Sequence, residues 1–145
     1  MKYVLVALAA GAVLPVQALI NSRLSAGVGG ALLAGNISFV VAAFVLAAIQ
    51  LGMNQPLPSI AQISAVPLWA WIGGALGAVY VVGSIQSVGA IGTTSAICLI
   101  IAGQIAAALV VDRFGLLGAV GHPLTLLRLF GACLVLAGAV IVVRG

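Results

Sequence analysis

Charge is what this sequence has least of: five Lys and Arg, one acidic residue and one His in 145 residues, so that charged residues make up 4% of the chain. Soluble domains carry about 25% charged residues and need a polar exterior. With 65% hydrophobic residues and a mean hydropathy of +1.42, the composition excludes a soluble enzyme, a disulfide-rich secreted scaffold and a disordered chain. It predicts an integral membrane protein surrounded by the lipid bilayer.

Cysteine and clustered basic residues are also scarce. The two cysteines, Cys98 and Cys133, lie in apolar runs without a CxxC or Cys/His pattern, which favours burial as small hydrophobic residues over a metal or disulfide role. The basic residues are scattered along the chain, which disfavours nucleic-acid binding. A nucleophile with its base and a metal-ligating constellation are missing too. We therefore expect no enzymatic activity, no cofactor and no metal ion.

Five apolar segments are long enough to cross a membrane. A hydrocarbon core of about 30 Å requires about 20 residues per helical span, and helices are expected because the backbone must satisfy its own hydrogen bonds in lipid. Turn residues predict a first turn within Asn21–Gly30 and the longest loop at Gly52–Ser64, while Ser84–Gly92 is compatible with a tight hairpin or a single broken helix. The prediction is one all-α transmembrane domain over residues 1–145, with spans at about 3–20, 31–51, 67–85, 90–111 and 124–143.

The few basic residues give little preference for one orientation in the membrane. Five spans place the termini on opposite sides, so three bases lie toward the N-terminal side and two toward the other: Lys2, Arg113 and Arg128 against Arg23 and Arg144. A clear Lys/Arg excess in cytoplasmic loops normally fixes orientation. Dual topology is therefore one hypothesis, with two copies paired antiparallel into a ten-helix inverted-repeat unit. The alternatives are a single, weakly chosen orientation and a closely related partner of opposite orientation.

Polar side chains inside the spans are the candidates for a binding site. Asp112 and Arg128 lie at span ends, which favours anchoring, with an ion pair across the loop as one possibility, over a role in transport. Because no acidic residue lies at the membrane midplane, an obligatory cationic substrate is disfavoured, and a neutral, zwitterionic or amphipathic small molecule fits better. The candidate substrate-binding residues are all uncharged: Gln17, Asn21, Asn36, Tyr80, Ser84 and Gln104.

A structural role is the alternative for each of these residues. Amides can simply join neighbouring helices, an effect of about 0.6 to 2 kcal/mol each in membranes. The structural role is slightly favoured for Asn36, whereas for Gln17 and Gln104 it has the same weight as substrate binding. Gly73 and Gly77, four residues apart, predict a small-residue seam where helices approach closely.

Three stretches of the sequence resemble a known family. They are Gly103-Gln104, Asp112-Arg113-Phe114-Gly115 and Arg128-Leu129-Phe130-Gly131, and they resemble the YdcZ-type small inner-membrane proteins of the drug/metabolite transporter superfamily. Further similar stretches at residues 15–21, 37–39, 71–74 and 136–138 extend the similarity over essentially the whole chain. It implies a five-helix half-transporter of the inner membrane that pairs antiparallel, as a homodimer or with a paralogue, and that acts as an exporter of a substrate the resemblance does not name.

One departure bears on mechanism. Compared with the related small multidrug resistance proteins, the chain lacks a glutamate in the first helix, where Val13, Leu14 and Gln17 stand instead. This disfavours proton-coupled antiport of cationic drugs. Our first hypothesis is a small-molecule exporter working by alternating access, with the six polar residues lining a cavity at the dimer interface.

Two other functional classes stay open. An antiparallel dimer could enclose a channel for ions or small solutes, whose amides and hydroxyls replace an ion's hydration shell. The abundance of packing glycines and the near absence of charge are also compatible with a non-transporting membrane scaffold or accessory subunit.

Overall fold

The computed structural model describes residues 1–118, 121 and 123–145. Over these residues the chain is all-helical, and five of its helical segments are long and apolar enough to cross a membrane. This confirms the predicted all-α class and the predicted number of spans. The helices are α1 (Lys2–Val28), α2 (Ala31–Gly52), α3 (Ile60–Ser64), α4 (Ile72–Ile91), α5 (Thr93–Phe114) and α6 (Leu126–Arg144).

Helix α1 is longer than the sequence predicted. It continues past Ile20 to Val28, so Asn21, which we placed in the first turn, is helical and buried. The helix ends only at Gly29, whose φ of 91° requires a left-handed conformation that glycine adopts without a steric penalty. The N–H of Gly30 donates to the carbonyl of Ser25, which completes the cap. The helix continues through its polar residues, since Asn21 forms a hydrogen bond with a residue of α2 and does not end the helix.

The predicted long loop contains a short helix that we missed. Ser59 caps α3: the Gln62 N–H donates to Ser59 Oγ at 3.3 Å, and the Ser59 N–H donates to Gln62 Oε1 at 2.8 Å. This reciprocal pair is a capping box, and its Ser-x-x-Gln pattern was present in the sequence. A 3₁₀ turn at Leu68–Trp71 then leads into α4 and carries both tryptophans.

The break between the third and fourth spans is narrower than predicted. Helix α4 runs to Ile91 and α5 begins at Thr93, so Gly92 alone, with a φ of 80°, separates them. The Gly92 N–H still donates to the Val88 carbonyl, and the Gly92 carbonyl accepts from the Ala96 N–H. Ser84 and its neighbours are therefore part of a regular helix rather than of a turn.

The chain packs as two units, Met1–Gln86 and Ser87–Gly145. In the first unit, α1 packs against α2 through Ala18 and Ala34, and Ala34 is fully buried. Helix α2 also packs against α4 at Gly35. A Cβ added at Gly35 would lie 3.3 Å from Val82 Cγ2, so α4 approaches α2 closely at this glycine. Small residues thus allow the close backbone approach that is typical of membrane helices.

In the second unit, α5 and α6 form a hairpin that again packs through alanines. The buried positions are Ala96 and Ala102 on α5 and Ala132 and Ala139 on α6. Most large apolar side chains of both units are exposed, apart from a few buried ones such as Ile85 and Val88, and none is fully buried in the part of the chain that the structure describes. His122 stands beside Pro123, which predicts a turn residue, and it lies outside the described residues, as do Ala119 and Val120.

The burial of Gly35 generates a stability prediction. Gly35→Leu should place a side chain against Val82 and weaken the α2–α4 contact by about 1–3 kcal/mol, the usual cost of overpacking. The matched control is Gly27→Leu, since an added Cβ at Gly27 meets no atom within 4 Å. Both changes remove a helical glycine, so propensity effects are shared. Thermal unfolding in detergent should show a lower midpoint for Gly35→Leu only, and equal midpoints would contradict the packing described.

Candidate functional site

The six candidate polar residues fall into three groups in the structure. Asn21 and Ser84 are buried and hydrogen-bonded, with 6% and 5% of their surface exposed. Tyr80 is half-buried. The remaining three side chains are exposed in the isolated chain, namely Gln17, Asn36 and Gln104.

Asn21 joins α1 to α2. Its Nδ2 donates to Ser38 Oγ at 3.1 Å. Sequence reasoning missed Ser38, although a signal was available: Asn21 lies eight residues before Gly29 and Ser38 eight residues after Gly30, so the two face each other in an antiparallel hairpin that turns at those glycines. The Asn21 side chain therefore joins the two helices of the hairpin by a hydrogen bond. This structural role was not part of the predicted substrate-binding role.

Ser84 bonds within its own helix. Its hydroxyl donates to the Val81 carbonyl at 2.9 Å, one turn earlier in α4. Serine in membrane helices commonly satisfies its hydroxyl in this way. The Ser84 proton is thus engaged, and a substrate that used it would have to compete with a backbone carbonyl.

The three exposed amides differ from Asn21 and Ser84. Within its own unit, none of Gln17, Asn36 and Gln104 makes a side-chain hydrogen bond to the described residues. An amide that faces hydrocarbon without a partner costs several kcal/mol. Each of these side chains therefore requires water, a ligand or a polar group from outside its own unit.

The structure brings some of the candidates of the first unit together and separates others. Gln17 lies one helical turn before Asn21, close to the α1–α2 contact. Asn36 precedes Ser38 by two residues, a rotation of about 200° around α2. Asn36 therefore lies on the face of α2 opposite to the one that contacts α1.

A groove in the first unit contains an amide that the sequence analysis did not select. It measures about 430 Å³ and is lined by apolar residues of α2 and α4 and by one glutamine: Leu32, Ala78, Val79, Val82, Gly83 and Gln86. From the sequence, we expected Gln86 to lie in the break before the fourth span, but α4 continues to Ile91 and Gln86 lies on this helix. The groove has the size of a site for a small molecule.

The cysteines and a second cavity lie in the second unit. In the isolated chain Cys98 is half-buried and Cys133 exposed, and both are free, so the predicted burial is partial for Cys98 and wrong for Cys133. On α6 the buried position belongs to Ala132, and Cys133 is rotated by about 100° from it. A cavity of about 160 Å³ between α5 and α6 is lined by apolar groups and the Cys98 thiol.

The predicted small-residue seam and the span-end charges can also be located. A Cβ added at Gly77 would lie 3.6 Å from Phe39 Cζ, so α2 packs over this glycine, whereas Gly73 has open space. Arg128 Nη1 lies 3.7 Å from Asp112 Oδ2, which joins the end of α5 to the start of α6. Gly77, Asp112 and Arg128 therefore take part in helix contacts, whereas a Cβ added at Gly73 meets no neighbouring atom.

Together these features define a polytopic helical membrane protein that carries uncovered amides within its apolar spans. Among the described residues no group of three His, Cys, Asp or Glu side chains could hold a metal ion.

A family comparison identifies the chain more closely. The family model described as "Putative inner membrane exporter, YdcZ" matches residues 2–141, and the chain belongs to this family. It is therefore a multi-pass protein of the inner membrane in a family of exporters rather than of enzymes. Comparisons with curated proteins and with solved structures found no match.

The Asn21–Ser38 bond can be tested by a double-mutant cycle. Ser38→Ala should destabilise the protein by about 1–3 kcal/mol because it leaves a buried amide without its acceptor. Asn21→Leu combined with Ser38→Ala should cost less than the sum of the two single changes, with a coupling of about 0.6 to 2 kcal/mol. The free energy of unfolding would be measured by SDS titration in mixed micelles. Ser22→Ala is the control, and additive single effects would contradict a direct bond.

Proposed function

We propose that the protein exports a neutral, zwitterionic or amphipathic small molecule by alternating access, as an antiparallel dimer of two five-helix chains. Membership of an exporter family supports the general activity. The substrate class and the dimeric mechanism are our inferences from the polar groups and the charges of this chain.

The observation that carries the proposal is that, among the described residues, three amides have no hydrogen-bond partner within their own units. Gln17, Asn36 and Gln104 lie on helices that are mainly apolar. Contact with lipid would leave their donors and acceptors unsatisfied, whereas a water-filled cavity between two chains would satisfy them. Amides donate and accept hydrogen bonds and carry no charge, so they suit a polar substrate that is neutral overall.

The position of the acidic residue supports the choice of substrate. Asp112 is the sole acid of the sequence, it lies in the last turn of α5 and it contacts Arg128. A carboxylate held at a span end by an arginine is poorly placed to alternate between a proton and a cation at the membrane midplane. Export of an obligatory cation by that mechanism is therefore disfavoured.

The groove beside Gln86 supports an amphipathic cargo. Five apolar residues and one amide would offer a hydrocarbon group a dry surface and a polar group one hydrogen-bonding partner. Substrates that combine the two would use both parts of the groove. Gln86 joins the binding residues proposed from the sequence on this ground.

The transport proposal predicts that the unpartnered amides matter for flux and not for folding. Gln17→Leu and Gln104→Leu should each reduce saturable uptake of the transported compound into proteoliposomes by about tenfold, the effect of removing one or two hydrogen bonds worth about 1.4 kcal/mol in total. Thermal stability should be unchanged or slightly higher. Gln55→Leu, in the loop after α2, is the matched control.

A panel of neutral, zwitterionic, amphipathic and cationic metabolites supplies the compound for this assay. Saturable flux of a neutral, zwitterionic or amphipathic compound is expected. Saturable flux confined to cations would overturn the substrate class. Ionic conductance that does not saturate in planar bilayers would indicate a channel instead of a carrier. The absence of both flux and conductance would favour a scaffold.

A further inference from the structure

The only acid of the chain forms an ion pair across the loop between α5 and α6. Asp112 Oδ2 lies 3.7 Å from Arg128 Nη1, and 41% and 46% of the respective side chains are exposed. Asp112 is in the last turn of α5, whereas Arg128 is in the first turn of α6, where its backbone N–H donates to the capping hydroxyl of Thr125 at 3.2 Å. The pair therefore closes the hairpin at one membrane surface.

Each charge is at the unfavourable end of its own helix. A helix C-terminus carries partial negative charge and repels the Asp112 carboxylate, and a helix N-terminus carries partial positive charge and repels the Arg128 guanidinium. The pairing reverses both effects, because the carboxylate approaches the start of α6 and the guanidinium approaches the end of α5. Helix dipoles thus favour the pair over two separate ions.

The pair changes the charge balance between the two membrane surfaces. If each of the five candidate spans crosses the membrane once, we expect three bases on the N-terminal side and two on the other: Lys2, Arg113 and Arg128 against Arg23 and Arg144. When Asp112 neutralises Arg128, two uncompensated bases remain on each side. The chain then has no excess of positive charge by which to choose an orientation.

We propose that the Asp112–Arg128 ion pair is the device that balances the orientation of this chain, so that equal numbers of copies insert in each direction. The inference rests on the proposed antiparallel dimer, which requires both orientations. Acidic residues usually contribute little to orientation. Asp112 is different because it holds one particular base within contact distance, so that base no longer acts as a free charge in the membrane potential.

Four variants separate a paired Arg128 from a free one. If the pair neutralises Arg128, Asp112→Asn leaves three free bases against two and should shift the ratio of orientations about tenfold toward a cytoplasmic α5–α6 loop. Arg128→Gln and the double variant, Asp112→Asn with Arg128→Gln, each leave two free bases on each side. Their ratio of orientations should match that of the unchanged protein. Arg113→Gln, which removes an adjacent base outside the pair, should shift the ratio the opposite way.

The readout is the sidedness of the C-terminus in whole cells, from matched fusions to a phosphatase active only outside the membrane and to a fluorescent protein active only inside. If Arg128 acts as a free base, Asp112→Asn changes nothing and Arg128→Gln shifts the ratio; that pattern would overturn the inference while leaving the dimer intact. Arg128→Lys, which keeps the charge, should behave like the unchanged protein. Thermal stability of the purified variants separates orientation from loss of folding.

The unchanged protein supplies the separate test of the dimer. Near-equal signals from the two fusions are expected. A single orientation in the unchanged protein would overturn both this inference and the antiparallel arrangement on which it rests.

Discussion

A polar group inside a bilayer needs a partner, and most features of this chain follow from how that requirement is met. Backbone groups meet it by forming helices, which is why an apolar sequence of this length folds into spans. Asn21 meets it through Ser38 on the neighbouring helix, and Ser84 through a carbonyl of its own helix. Gln17, Asn36 and Gln104 have no such partner within their own units among the described residues, and each of these side chains needs a polar partner from outside its unit.

The way in which the helices pack is consistent with this difference between polar groups that are hydrogen-bonded within their unit and polar groups that are not. Helices meet through alanine and glycine at positions such as Ala34, Gly35 and Ala132, so each contact is close and involves little side-chain volume. Large side chains remain on the outside, where lipid or a second copy can cover them. Weakly interdigitated contacts of this kind allow helices to shift against one another at modest cost, which a carrier that alternates between two states requires.

The five spans and the all-helical class could be predicted from the sequence because hydrophobic length alone sets them. Details that depend on a specific partner could not: α1 was predicted to end at polar residues, yet it continues because Asn21 bonds to Ser38, and this pairing is apparent only once the turn is placed at Gly29. The capping box of Ser59 and Gln62 was visible in the sequence and was overlooked within a loop rich in proline. The polar candidates for the site could be selected from the sequence, but which of them form hydrogen bonds within the chain could not be predicted. Gln86 was not predicted because α4 extends further than its composition suggests.

Export through a polar cavity requires that the amides without a partner in their own units face water and not lipid. This requirement is tested by the reaction of single cysteines with a water-soluble maleimide, in membranes and in a background with Cys98 and Cys133 replaced by serine. Cysteines at Gln17 and Gln104 should react readily, whereas cysteines at Leu19 and Leu99, exposed apolar positions on other faces of the same helices, should not. If all four positions were equally unreactive in the folded protein, the amides would lie in lipid or in a dry contact, and the cavity would not exist.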